Sequence, residues 1–152
     1  MTVGPILLVE DNQDDVELTV RALHDGRIAN DLVVVNDGAQ ALAHLLPSAV
    51  DVEAMGGPPM LPALILLDLS LPKVGGLEVL RQLRAHDRTR NVPTVILTSS
   101  RQEDDLAKAY ALGANSYVRK PIDFNDFVAV VHQLRLYWLV LNEPPPEVKV
   151  GY

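Results

Sequence analysis

The sequence of 152 residues contains no cysteine, which excludes disulfide frameworks, thiol catalysis and cysteine-ligated zinc and favours a reducing compartment such as the cytoplasm. Positive charge is also in short supply: 13 lysines and arginines stand against 20 aspartates and glutamates, a formal charge of −7. That surplus repels phosphate backbones and anionic lipid, so neither nucleic acid nor membrane is expected as a direct partner. Long apolar runs are missing. The first one has no basic region ahead of it and stops at Glu10 and Asp11, so neither a signal peptide nor a membrane span is expected. No Gly-x-Gly-x-x-Gly follows it, and Gly56-Gly57 lacks the lysine and hydroxyl residue of a phosphate-cradling loop. The histidines, His24, His44, His86 and His132, share no metal-ligand spacing.

What the chain does have is enough apolar residues, 48 %, to bury one domain's core. They fall in short unbroken runs at residues 6–9, 32–35, 63–67 and 94–97, with a weaker one at 116–118. Unbroken apolarity means burial on both faces, as in a parallel sheet. Between the runs lie helical spacings: Val16, Val20, Leu23; then Ala39, Leu42, Leu45; then Leu77, Leu80, Leu83; then Leu106, Ala109, Leu112. The alternation predicts a doubly wound (βα)₅ α/β fold with right-handed crossovers. Gly113 is placed to end the fourth helix. Residues 47–62, with four prolines and Gly56-Gly57, read as a long exposed loop. The last helix is expected from Asp123 through Trp138, stopped by Pro144-Pro145-Pro146. The domain is thus expected over residues 1–141, with a proline-rich tail at 142–152.

In an open α/β sheet the ligand site lies beyond the carboxyl ends of the strands. Glu10, Asp11 and Asn12 follow the first run, Asp68 the third, Thr98, Ser99 and Ser100 the fourth, and Lys120-Pro121 the fifth. Crowded carboxylates call for a hard cation with oxygen ligands, Mg²⁺ first, with Mn²⁺ an alternative. A lysine beside them would help neutralise an incoming phosphoryl group, and Asp68, directly after its strand, is placed to be the nucleophile.

These residues, in this strand order, resemble the receiver domain of two-component response regulators. The spacing agrees with that family: Asp68 to Thr98 is 30 residues and Thr98 to Lys120 is 22. The resemblance implies a flavodoxin-like sheet of order 2-1-3-4-5 and a phosphoryl group accepted on Asp68 from a sensor histidine kinase. It implies Mg²⁺ held by Glu10, Asp11, Asp68 and the backbone carbonyl of Ser70. It further implies that Thr98 donates its hydroxyl to the phosphoryl group, that Lys120 pairs with phosphorylated Asp68, and that Tyr117 is the aromatic that swings when the threonine moves. Ser99 matches the small residue beside the phosphate, and the Lys120-Pro121 bond would be cis. Gly75 departs from the pattern, standing where an acid often precedes the second glycine. The long 47–62 segment and the apolar tail resemble, more narrowly, stand-alone regulators paired with bacteriophytochrome kinases. Beyond its own phosphorylation and dephosphorylation, the chain is not expected to be an enzyme. A metal-dependent phosphohydrolase is disfavoured because Asp68-Leu69-Ser70 has no second acid to protonate a leaving group. A pseudo-receiver would lack part of the set.

Asp14 and Asp15 read as N-terminal caps of the first helix and not as ligands, and Arg81, Arg84, Arg88 and Arg90 as a solvated helix face. Residues Leu136–Leu141 are apolar on every side of a helix, whereas a packed helix buries only a stripe. They suggest a homodimer through the last helix and tail, with Tyr137, Trp138 and Leu141 at the interface.

Overall fold

A computed structural model of the chain describes residues 4–25, 29–120 and 123–146. Five parallel strands form one sheet of order β2-β1-β3-β4-β5: β1 (Ile6–Val9), β2 (Leu32–Val35), β3 (Leu64–Leu67), β4 (Thr94–Thr98) and β5 (Ser116–Arg119). Strand residues alternate between the two faces, and each face closes its own core. Ile6, Leu8, Leu64, Leu66, Val95 and Leu97 pack under α1 (Gln13–Asp25) and α6 (Phe124–Leu134). Leu7, Val9, Ile65, Leu67 and Ile96 pack under α2 (Gly38–Leu45), α4 (Gly76–Ala85) and α5 (Glu103–Ala111). Every side chain of β1, β3 and β4 is buried, while β5, at an edge, is only half-buried along most of its length.

The segment 47–62 is not all loop. It holds a short helix, α3 (Ala49–Ala54), capped by the Ser48 hydroxyl, which accepts from Asp51 N–H at 3.1 Å, and seated by buried Val52. Met55 closes it, and Gly56 and Gly57 follow at φ +81° and +143°. Arg88 clasps this region by donating to the carbonyls of Leu45 and Pro59. Arg84 is no solvated cation either. Its guanidinium donates to the carbonyls of Gly113 at 2.9 Å and Val92 at 3.0 Å, and to Asn115 Oδ1 at 2.9 Å, tying α4 to the starts of β4 and β5. Arg81 and Arg90 do lie at the surface, paired with Glu78 and Asp87.

Helix α6 begins after Asp123, whose carboxylate accepts from Asp126 N–H, and continues into a π-helical stretch, Arg135–Leu141. There Leu139 is buried and Trp138 is half-buried against the domain's own core, while Leu136, Tyr137, Val140 and Leu141 stay exposed. The expected interface trio is therefore divided: Trp138 has an intramolecular seat, and Tyr137 and Leu141 face outward. Trp138 also lines a cleft with Pro93, Asn115 and Asn142 at the amino ends of β4 and β5. Among the described residues no helix is long and apolar enough to cross a membrane.

Candidate phosphoacceptor site

The site is built by carrying the strand ladder one residue past the strands. Asp68 N–H donates to Val9 O, Glu10 N–H to Val35 O and Lys120 N–H to Thr98 O, so the residues that leave the sheet share one rim. Asp68, Glu10 and Thr98 are buried there, and Asp11 is exposed. The Thr98 hydroxyl donates to Asp68 Oδ1 at 2.8 Å, and Ser70 N–H donates to the same oxygen at 3.1 Å. Lys120 Nζ donates to Asp68 Oδ2 at 2.9 Å, Glu10 Oε2 at 2.5 Å and Asp15 Oδ2 at 2.8 Å.

These contacts split the two buried acids. Burial is the largest influence on Glu10 and, with the nearby Asp68 charge, pushes its carboxyl up to about 7 although Lys120 pulls the other way. Burial acts on Asp68 in the same direction, yet there the bonds from Lys120, Thr98 and Ser70 outweigh it and hold the carboxyl below its usual range. Lys120, despite burial, is kept protonated above its ordinary value by Asp15, Glu10 and Asp68. Asp68 is thus an ionised, oriented carboxylate, the protonation state a nucleophile requires.

Carboxylate oxygens of Glu10, Asp11 and Asp68 lie within 4.8 Å of one another. An oxygen-only donor set with Asp11 open to solvent fits a hard divalent cation that retains waters. The loop that carries Ser70 is locked from two sides. Lys73, in the left-handed region at φ 66°, brings its ammonium to 3.5 Å from Asp37 Oδ2, and Asp37 also caps α2 by accepting from Gln40 N–H at 2.7 Å. A Cβ on Gly76 would stand 2.2 Å from Asp68 O, and one on Gly38 would stand 1.9 Å from Val74 O. Gly75, the residue that departs from the family pattern, has open space around it and serves as the α4 N-cap.

Tyr117 is half-buried on β5, and its hydroxyl donates to Ser100 O at 3.4 Å; Ser100 N–H in turn approaches Thr98 Oγ1 at 3.4 Å. Ser99 is exposed at the rim. The Lys120-Pro121 bond, expected to be cis, lies outside the described residues. Asp15 stands in the first turn of α1, but its reading as an N-terminal cap is corrected: Asn12 caps the helix, accepting from Asp15 N–H at 3.0 Å, while the Asp15 carboxylate belongs to the Lys120 cluster. Nothing local marks Asp15, because its partner is 105 positions away in the chain.

Residues 6–132 match the family model described as the response regulator receiver domain. The chain belongs to the response regulator receiver family. Among curated proteins, this receiver is 41 % identical over 140 residues to the probable methanogenesis regulatory protein FilR2 of Methanothrix harundinacea, covering 92 % of this chain and 86 % of that protein. It is 37 % identical over 134 residues to the response regulator Rcp1 of Synechocystis, covering 88 % of each. Among solved structures it superposes on the phosphorylated cyanobacterial phytochrome response regulator RcpA with a TM-score of 0.84 at 33 % identity, covering 95 % of this chain and 100 % of that one. It superposes on the bacteriophytochrome response regulator RtBRR with a TM-score of 0.72 at 51 % identity, covering 95 % of this chain and 86 % of that one. Rcp1 itself has been solved in a Mn²⁺-bound form, at 35 % identity and a TM-score of 0.81, covering 94 % of this chain and 99 % of that one. The receiver resembles phytochrome response regulators over nearly its whole length.

Proposed function

We propose that a sensor histidine kinase phosphorylates this receiver on Asp68. The observation that carries the proposal is the meeting of Asp68 with Thr98 and Lys120, with buried Glu10 and exposed Asp11 beside it. An Asp68 carboxylate oxygen attacks phosphorus of the phosphohistidine; the new O–P bond forms as the N–P bond breaks, and the ring nitrogen leaves with the electron pair. Lys120 and the Thr98 hydroxyl are the donors that meet the charge on the phosphoryl oxygens. Glu10, Asp11, Asp68 and the Ser70 carbonyl would hold Mg²⁺, or Mn²⁺, which supplies further neutralisation of those oxygens when bound. Incubation with Mg²⁺ and acetyl phosphate should add one phosphoryl mass to wild type and none to Asp68→Asn. An unmodified wild-type chain at every donor concentration overturns the reading.

The finer assignments are part of the same proposal. Tyr117 is the switch residue, supported by the line of contacts Thr98, Ser100, Tyr117. The kinase is a bacteriophytochrome, supported by the likeness to RcpA and RtBRR, and phosphotransfer from the purified phytochrome kinase of the same organism tests it. The protein acts in the cytoplasm through other proteins and catalyses nothing beyond its own phosphorylation and dephosphorylation. A second copy covers Tyr137 and Leu141, which stay exposed on the π-helical stretch along with Leu136 and Val140. Sedimentation of wild type and Tyr137→Glu tests this pairing, and two monomeric samples would end it.

A further inference from the structure

Lys120 has one more acidic partner than the phosphoacceptor chemistry calls for. An ammonium carries three protons, and the three carboxylates of Glu10, Asp15 and Asp68 at 2.5, 2.8 and 2.9 Å take one each. Two of these acids have other duties. Asp68 is the reacting group, and Glu10 shares the cation-binding oxygens with Asp11. Asp15 lies outside that trio, and among the described residues its carboxylate bonds to Lys120 alone.

We propose that Asp15 is a positioning residue for phosphoryl transfer, fixing the Lys120 ammonium at the rim while Glu10 and Asp68 are engaged elsewhere. The inference rests on the phosphoacceptor reading and deepens it. The backbone around Asp15 suits an anchor. Its N–H donates to Asn12 Oδ1 at 3.0 Å, and its carbonyl accepts from the buried Thr19 hydroxyl at 2.7 Å. The next residue, Val16, is buried in the core between α1 and the sheet. A short acid on a helix start pinned at both ends has little freedom, whereas lysine is a long flexible stem with a rotatable head. The flexible member therefore takes its place from the rigid one. The contact is also sheltered, with the Lys120 side chain 9 % and the Asp15 side chain 32 % exposed, so water competes for the pair less than at an open surface.

A purely electrostatic role makes a different prediction. If Asp15 only added negative charge to the rim, removing it would let an anionic donor bind at lower concentration and leave the plateau rate unchanged. If it positions Lys120, the plateau rate falls and the half-saturating concentration stays, because the loss is felt when charge develops.

The test measures initial rates of phosphoryl adduct formation by intact mass, in Mg²⁺, across a range of acetyl phosphate. The samples are the full chain as wild type, Asp15→Asn, Lys120→Met and the double variant. Asp15→Asn should lower the plateau about 3- to 10-fold with an unchanged half-saturating concentration, and should add nothing in the Lys120→Met background. A readout without phosphorylation accompanies it. In chelator, Asp15→Asn should lower the urea midpoint in the Lys120 background by about 0.2 to 0.5 M and leave it unmoved in the Lys120→Met background. A plateau equal to wild type, or an equal midpoint shift in both backgrounds, overturns the positioning role. Absence of any adduct on wild type overturns the phosphoacceptor reading first, so the two failures are distinct.

Discussion

Substituting Gly38 by alanine sets two known effects against each other. Gly38 opens α2 beside the site, and alanine favours a helix over glycine by up to about 1 kcal/mol. The added Cβ, however, would lie 1.9 Å from Val74 O, 2.7 Å from Val74 C and 2.8 Å from Val74 Cβ. Carbon-to-oxygen contacts ordinarily sit near about 3.3 Å, so one of the two backbones must retreat by about 1.4 Å. Neither moves freely. Gly38 N–H donates to Pro72 O, Lys73 pairs with Asp37, and Gly76, at the far end of the loop, lies against Asp68 O. Overpacking costs about 1 to 3 kcal/mol, and an overlap this deep between two backbones belongs in the upper part, about 2 to 3, of which the helix gain offsets at most about half. The net loss of about 1 to 2 kcal/mol should lower the urea midpoint by about 0.5 to 1 M at a slope near 2 kcal/mol per M. Gly75→Ser is the matched control, since its Cβ meets nothing within 4 Å and a serine N-cap is at least as good as glycine. A Gly38→Ala midpoint at or above that of wild type would show that helix propensity outweighs the clash and that the loop yields, refuting the reasoning.

Other perturbations have equally definite outcomes. The hydrogen bond from Gln40 N–H, with Lys73 beside it, holds the Asp37 carboxyl below its ordinary range, so its charge adds stability above about pH 4 that is lost as pH falls further. Asp37→Asn keeps the cap but should flatten that acid limb in urea melts taken from pH 6 downward. Thr98→Val removes a buried hydroxyl bonded to an ionised acid and should cost about 1.5 to 3 kcal/mol in equilibrium unfolding; an unchanged midpoint would show that the bond contributes nothing to the free protein. Arg84→Ala strips donors from Gly113 O, Val92 O and Asn115 Oδ1 and should cost about 2 to 3 kcal/mol, which Arg84→Lys cannot restore because an ammonium lacks the fork to reach all three.

The strands were readable because each buried run is continuous and bounded by polar residues, and the site because its chemistry stands one or two residues past the runs. Asp68, Thr98 and Lys120 need no fine register to be located. The α3 helix was hidden by the prolines on either side of it, although Ser48 three residues before Asp51 is a capping signature that reveals it. Asp15 and Arg84 were misjudged for a shared reason. Local spacing names the helix a charge sits on, whereas the partners of these two, Lys120 and Gly113, are 105 and 29 positions away. The tail is a middle case: six apolar residues announce that part of the helix stays uncovered, but only the three-dimensional arrangement shows that Trp138 turns inward while Tyr137 does not.

That inward turn makes the protein its own optical gauge. Trp138 is the sole tryptophan, set at the amino ends of β4 and β5 with Tyr137 edge-on at 5.0 Å. Asp68 and Lys120 leave the sheet from the opposite, carboxyl end. Indole emission therefore responds to solvent entering beneath the C-terminal segment, and it is remote from any quenching by a cation bound among Glu10, Asp11 and Asp68. A change in that emission on phosphorylation would mean that the modification has been felt across the full length of the strands.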